Sequence, residues 1–437
     1  MNNKFKLDTF RYFFDFSANE VGDLLWWQHI KKIGTPFIQR KNDTTCSVLF
    51  LWQDPQGNES QSNIASVLLD VNGVTDHHHW ETHHLNRVTG TDVWFTELTI
   101  NSHWRASYSF IPLQSHQLPK VVQQKVGSSK AAQRNWWLDI LTSQCVDRFN
   151  QLPDVHSGWG NKSVLHLLDA EVEAGWGLFE QGLLHTTSVL HSYTIEWNSF
   201  ALGNQRDCLL FSTGEGDLPL VILLDGEKWG EESGSLSVFQ YLTETKSIAP
   251  ARYLLIPAIN NQTRWKELSC NPNFWSAIEN ELLPMVDRKL ASLAAYTSSM
   301  LVAGQSLGGL SALYAGINYS HLFTKIISLS GSFWWPEIAR MQEPAKFKEA
   351  NPNWKSKAPK GSLAAQVFDG NIDLSKLHVF QTVGLGEEDM CLYNDMTYQA
   401  IQQYGGNIHY EKVYGGHDWL SWRSCLVKGI MTLIPYR

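Results

Sequence analysis

Five unbroken apolar runs of strand length follow one another in the second half of the chain and constrain its fold more than any other feature. They are LPLVILLDG (218–226), RYLLIPA (252–258), SSMLVAG (298–304), KIISLSG (325–331) and LHVFQTVG (377–384). A strand without polar alternation is covered on both faces. Helical stretches separate these runs, so the pattern after about residue 190 is that of a mostly parallel sheet with helices on both sides, an α/β architecture.

The first half reads differently. From Cys46 to Ile111 short strands recur in CSVLFLW, ASVLLDVN, DVWFTEL and HWRASYSFI, and in the last of these Trp104, Ala106, Tyr108 and Phe110 alternate with Arg105, Ser107 and Ser109. Turn signals at Asp54-Pro55-Gln56-Gly57 and Asn72-Gly73 separate them. Period-two patterning without intervening helices predicts a β-sandwich over residues 1–115. Between 116 and 185 the pattern weakens to one helix, holding Trp137, Leu138 and Leu141, and a connecting region marked by Pro153, Gly158 and Gly160. The expected division is a β-sandwich-like domain with its connection over 1–185 and an α/β domain over 186–437, in keeping with about two or three domains for a chain of 437 residues.

Charge narrows the function. With 35 Lys and Arg against 43 Asp and Glu, the net charge of -8 offers no general attraction to nucleic acid or to an anionic membrane. No apolar run reaches the length of a membrane span, and MNNKFKLDTFRYFFDFSANE lacks the apolar core of a signal peptide. The six cysteines, Cys46, Cys145, Cys208, Cys270, Cys391 and Cys425, show no metal-ligand spacing and fit free thiols in a reducing compartment. A soluble, cytoplasmic chain is expected. The 19 Trp, 20 Phe and 14 Tyr exceed what packing asks for and suggest a large, flat ligand.

The chemistry is carried by Gly304-Gln305-Ser306-Leu307-Gly308, a GxSxG between a strand and a helical segment, which is the context a nucleophile elbow needs. Ser306 is the expected nucleophile. A serine hydroxyl needs a base, and in a hydrolase of this fold a histidine follows the last strand. His417 fits, because the short strand 409–414 runs into Gly415-Gly416 just before it. The acid is expected after the preceding strand, where Glu387, Glu388 and Asp389 compete and Glu387 is favoured. Asp418 adjoins His417 and reads as a loop or cap residue. The oxyanion hole calls for the amide of Leu307 and one from the Asp225–Trp229 loop, that of Gly226 or Trp229.

At these residues the chain resembles the enterochelin (enterobactin) esterase family. The similarity lies in FLWQDPQGNE, VNGVTDHH, GTDVW and NWWLDI in the first half, and in LLDGEKW, RWKELSCNPNFW, ELLP, VAGQSLGGLSALYAG, SGSFWWP and GGHDWLSWR in the second. The resemblance implies an N-terminal β-sandwich-like domain and a C-terminal α/β-hydrolase that opens the trilactone of ferric catecholate siderophores inside bacteria. It carries the family's serine, histidine and acid onto Ser306, His417 and Glu387. It also implies an anionic, aromatic substrate, for which Arg264, Lys228, Trp334 and Trp335 are the candidate contacts. Iron arrives with that substrate, so no cofactor and no resident metal are expected.

Five histidines lie between His77 and His84, but neighbours on an extended segment point to opposite faces and no carboxylate or cysteine set completes a metal site. Rival readings are a general carboxylesterase, a polysaccharide deacetylase whose sandwich binds carbohydrate, and a siderophore-binding protein without catalysis.

Overall fold

The computed structural model describes residues 21–118 apart from 78 and 80, then 130–157, 160–186, 191–230, 233–337, 353–370 and 372–436. The N-terminal twenty residues and Gly158 therefore lie outside the described residues. Two compact units make up the chain, one drawn from Met1–Glu171 with Tyr414–Leu420, the other from Val172–Val413 with Ser421–Arg437.

In the first unit the period-two runs form two antiparallel four-stranded sheets. One has the order β1-β2-β5-β4, with β1 Phe37–Asn42, β2 Thr45–Gln53, β4 Asn86–Arg87 and β5 Val93–Asn101. The other has the order β3-β6-β8-β7, with β3 Ile64–Val71, β6 Arg105–Gln114, β7 Val155–Ser157 and β8 Gly160–His166. Alternate residues of both sheets, among them Val48, Phe50, Val67, Leu69, Ala106, Tyr108 and Phe110, share one core. This is the expected sandwich.

The opposite faces are covered as well. Leu49, Leu51 and Phe95 pack under Trp26, Trp27 and Ile30 of the helix Leu24–Ile33, and Leu68, Ile111 and Leu113 pack under Trp137 and Ile140 of the helix Lys130–Ile140. Both faces being covered is why CSVLFLW and ASVLLDV contain apolar residues at successive positions. It also alters the reading of β6, whose polar members Arg105, Ser107 and Ser109 are buried rather than solvated. Two of them have side-chain partners that offset lost hydration: Arg105 donates to the Glu171 carbonyl and to His166, and Ser109 to Gln144. The stretch read from sequence as connecting contributes β7 and β8, whose pattern is hidden because Lys162 and Ser163 are buried beside Val164 and Leu165.

The second unit holds one eight-stranded sheet in the order β16-β15-β14-β13-β11-β12-β10-β9. Its strands are β9 His191–Ser199, β10 Asn204–Ser212, β11 Leu218–Leu224, β12 Arg252–Ile256, β13 Thr297–Gln305, β14 Lys325–Leu329, β15 His378–Gly384 and β16 Asn407–Val413. Every apolar run from the sequence is one of the inner strands, and β12 through β16 pair in parallel. The hairpin β9–β10 escapes the sequence reading because it is an edge ribbon with buried residues at every second place, Ile195, Trp197 and Ser199. This order, with the antiparallel edge and the reversal at β11 and β12, is that of an α/β-hydrolase. In open α/β sheets ligands gather beyond the carboxyl ends of the strands at such a reversal. Among the described residues no helix is long and apolar enough to cross a membrane.

Aromatic residues serve packing more than composition suggests, since Trp26, Trp137, Trp176, Trp197, Trp229 and Trp275 are all fully buried. Phe110, at the centre of the sandwich, is expected to report on that core: Phe110→Ala should cost about 3–5 kcal/mol, read as a lowered urea midpoint.

Candidate active site

Ser306 stands between the end of β13 and the helix Leu307–Asn318 with φ 57° and ψ -121°. A non-glycine residue in that region carries strain of about 1–3 kcal/mol, and such strain persists only where the surroundings enforce it. They do so here: Ser306 N–H donates to the Leu329 carbonyl of β14 at 2.9 Å, and its carbonyl accepts from Leu310 N–H at 3.1 Å and from Ser332 N–H at 3.0 Å. The turn is so tight that a Cβ on Gly304 would overlap the Gly308 carbonyl, which explains the flanking glycines. The Ser306 hydroxyl is half-buried, 3.4 Å from the hydroxyl of Ser332. Leu307 opens the helix, so its amide is one of the first-turn N–H groups that have no acceptor within the helix.

The loop after β11 is a short 3₁₀ turn, Gly226–Trp229, entered through Asp225 in the left-handed conformation at φ 54°. The sequence motif did not announce what Asp225 does. Its carboxylate accepts Arg264 Nε at 2.6 Å and Nη2 at 2.8 Å, and Gln305 Nε2 at 3.3 Å. Gln305 in turn accepts the indole N–H of Trp229 at 3.3 Å. One buried carboxylate thus ties the helix Asn261–Leu268, the 226–229 turn and the residue before Ser306 together. Burial opposes the Arg264 charge, but Asp225 outweighs it and raises the guanidinium pKa.

This arrangement gives Arg264 a structural partner. Two of its nitrogens bind Asp225 in a bidentate pair, so the residue acts as a brace and its charge is matched within the protein. The expectation of a ligand contact does not hold for Trp334, which is 3% exposed and belongs to the core of the α/β unit, because the chain turns inward directly after β14. Trp335 is half-buried, and Lys228 is half-buried with its amide donating to the Asp225 carbonyl at 2.9 Å. Trp265, which sequence reasoning passed over, lies with ring centroids 6.0 Å from Trp334 and 6.4 Å from Trp335. Gly226 is buried, with its Cα against the backbone of Ile256 at the end of β12.

Glu387 follows β15 and precedes the helix Glu388–Gln403. It is 6% exposed, and its Oε1 accepts the Gly384 N–H at 2.8 Å and the Ser330 hydroxyl at 2.5 Å. Ser330 has φ 48° and accepts the indole N–H of Trp422 at 3.1 Å. The chain Trp422–Ser330–Glu387 fixes one carboxylate oxygen from two sides. Asp389 is half-buried in the first turn of the following helix, while the Glu388 side chain lies outside the described residues. Ser330 and Trp422 carry no motif and only the fold brings them to Glu387.

His417 occupies the loop between β16 and the helix Trp419–Leu433, in the segment Tyr414–Leu420 that groups with the sandwich unit. It is half-buried, and its carbonyl accepts Asn72 Nδ2 at 3.1 Å. Asp418 caps the next helix, accepting Leu420 N–H at 3.3 Å. Of the histidine cluster, His83 and His84 direct ring nitrogens to the hydroxyls of Thr96, Ser66 and Thr82, and burial lowers the pKa of both. His78 lies outside the described residues.

Known proteins share this architecture. Residues 47–176 match the family model for the N-terminal region of enterochelin esterase, and residues 200–433 match that of a putative esterase. The chain is 34% identical over 423 residues to the iron(III) enterobactin esterase of Dickeya dadantii, covering 96% of this chain and 94% of that one. It is 33% identical to the iron(III) enterobactin esterase of Escherichia coli K12 over 95% and 98% of the two chains. Among solved structures, the ferric enterobactin esterase of Salmonella typhimurium superposes with a TM-score of 0.80 at 33% identity, covering 94% of this chain and 98% of that one. The enterobactin esterase of Shigella flexneri, crystallised with enterobactin, gives 0.79 at 32% identity over 95% and 98%. Sheet order, strained serine and family model together define a carboxylic ester hydrolase of the α/β-hydrolase type. More narrowly, the chain belongs to the enterochelin esterase family.

The Arg264–Asp225 brace makes a prediction. Arg264→Met leaves the Asp225 carboxylate, 3% exposed, without its ion-pair partner. Breaking such a pair costs about 3–5 kcal/mol at full burial and less here, since Arg264 keeps some contact with water. The variant should melt several degrees lower by calorimetry and lose turnover even where still folded.

Proposed function

We propose that this enzyme hydrolyses the ester scaffold of a ferric catecholate siderophore of the enterobactin type and frees its iron for removal in the cytoplasm. The observation that carries the reading is the strained Ser306 in a chain 34% identical, over nearly its whole length, to an iron(III) enterobactin esterase. Ser306 Oγ attacks a scaffold ester carbonyl as His417 takes its proton. Glu387 holds the imidazole in the acceptor tautomer and stabilises the imidazolium once formed. The Leu307 amide and one amide of the 226–229 turn donate to the oxyanion, and the dipole of the helix Leu307–Asn318 favours negative charge there. His417 then gives that proton to the departing alkoxide of the scaffold serine, and water, activated by the same imidazole, releases the acyl product.

The order Ser306, Glu387, His417 along the chain is that of α/β-hydrolases. Among the three candidate acids, Glu387 is supported by its burial and by the two donors that fix its Oε1. The half-buried faces of Trp335 and Trp265 suit a catechol ring, and Lys228 is the candidate cation for an anionic complex. Opening the scaffold separates catechol arms that were held at high effective concentration, so iron is bound more weakly. The metal is part of the substrate, and the chemistry above calls on no cofactor.

Two measurements test this reading. Chromatography of ferric enterobactin incubated with wild type should show linear trimer, dimer and monomer, and Ser306→Ala should yield none while keeping the wild-type melting temperature; product from Ser306→Ala overturns the nucleophile. Glu387→Gln should lower kcat by roughly 10³–10⁴, whereas Asp389→Asn should stay close to wild type. The reverse ranking would transfer the acid role to Asp389.

A further inference from the structure

The loop that carries His417 is built into the sandwich unit by side-chain and backbone contacts that no catalytic motif records. Arg105 N–H of β6 donates to the Tyr414 carbonyl at 3.2 Å. Two residues on, Ser107 N–H donates to the Asp418 carboxylate, which is buried at 2% exposure. Asn72, in the turn after β3, donates to the carbonyl of His417 itself. Gly416 meets Gly73 of that same turn so closely that a Cβ on Gly416 would stand 2.7 Å from Gly73 N, and one on Gly73 would stand 2.9 Å from Gly416 Cα.

Residues 416, 417 and 418 are therefore each gripped, by a steric contact, a side-chain donor and a backbone donor. Burial raises the Asp418 pKa, and Lys162 of the sandwich core, itself paired with Asp70 at 2.6 Å, partly offsets that rise. Such a polar cluster repays its desolvation only when every member is in place, so it selects one position of the loop. Three of these four contacts fall on backbone atoms of the 414–418 loop.

We infer that the β-sandwich serves the reaction as the holder of the base: Asn72 and Asp418, with the Ser107 amide and the Gly73–Gly416 contact, are positioning residues that fix the His417 backbone. The inference rests on His417 being the general base. A misplacement of a catalytic group by about 1 Å costs on the order of 100-fold in rate, so small losses of grip become visible in turnover.

The test compares Asn72→Ala, Asn72→Asp and Asp418→Asn with His417→Ala and with Leu113→Ala, a cavity in the sandwich layer that packs on Trp137 and does not line the loop. Steady-state kinetics on ferric enterobactin are measured at a temperature where all variants are folded, with hydrogen exchange of 414–420 by mass spectrometry. The first three variants should lose about 10- to 100-fold in kcat at little-changed KM, with faster exchange in 414–420. Asn72→Asp should match Asn72→Ala, since both lack the donor. Leu113→Ala should be destabilised but keep its kcat. Wild-type kcat in the Asn72 and Asp418 variants, with His417→Ala inactive, overturns the positioning role and leaves the base assignment standing. Equal kcat losses in Leu113→Ala also overturn it, since the sandwich would then act through stability alone. An active His417→Ala removes the base reading and this inference with it.

Discussion

The turn at Ser306 is the constraint on which the rest of the α/β unit is arranged. A serine held at positive φ between a strand and a helix is unfavourable in isolation, and here hydrogen bonds from β14, the helix Leu307–Asn318 and Ser332 hold it there. The turn sets the hydroxyl at the end of β13, with the Leu307 amide next along the chain. The glycines that flank the serine are a consequence of that geometry, because strand and helix approach each other within the width of a side chain.

The neighbouring loops are stiffened by buried charge. Asp225 accepts Arg264 and Gln305, and Gln305 accepts Trp229, so the 226–229 turn and the elbow share one network. Glu387 is held on one oxygen by Gly384 and Ser330, with Trp422 behind Ser330. In both places an ionised side chain is taken out of water and given several donors, which offsets desolvation only in one geometry. Rigidity of that kind suits electrostatic catalysis, where donors aimed in advance need not reorganise as charge develops.

A good part of this was legible in the sequence. Ser306 stood out because an elbow needs a strand before it, glycines around it and a helix after it, and all three leave a pattern. His417 and Glu387 were candidates from their places after the last two strands. The Arg264 pair was not legible, because its partner Asp225 is 39 residues away and nothing local reveals it. Trp334 was misjudged for a similar reason: an aromatic after a strand looks alike whether the chain turns inward or outward. Ser330, Trp422 and Asn72 were invisible, since a hydrogen bond between distant side chains leaves no periodicity.

What the sequence by itself determined were the parts set by local chemistry: two patterns of hydrophobic burial, period-two and continuous, hence a sandwich and a parallel sheet, and the residue types that an ester hydrolase needs in their chain order. The tertiary structure alone decided which charges are spent on one another, which aromatic rings are core, and that the loop of His417 is gripped by β6 and the Asn72–Gly73 turn. Those outcomes depend on long-range proximity, as between Asn72 and His417, which are 345 residues apart. Burial and hydrogen bonding act through distance in space, and the chain records that only after it has folded.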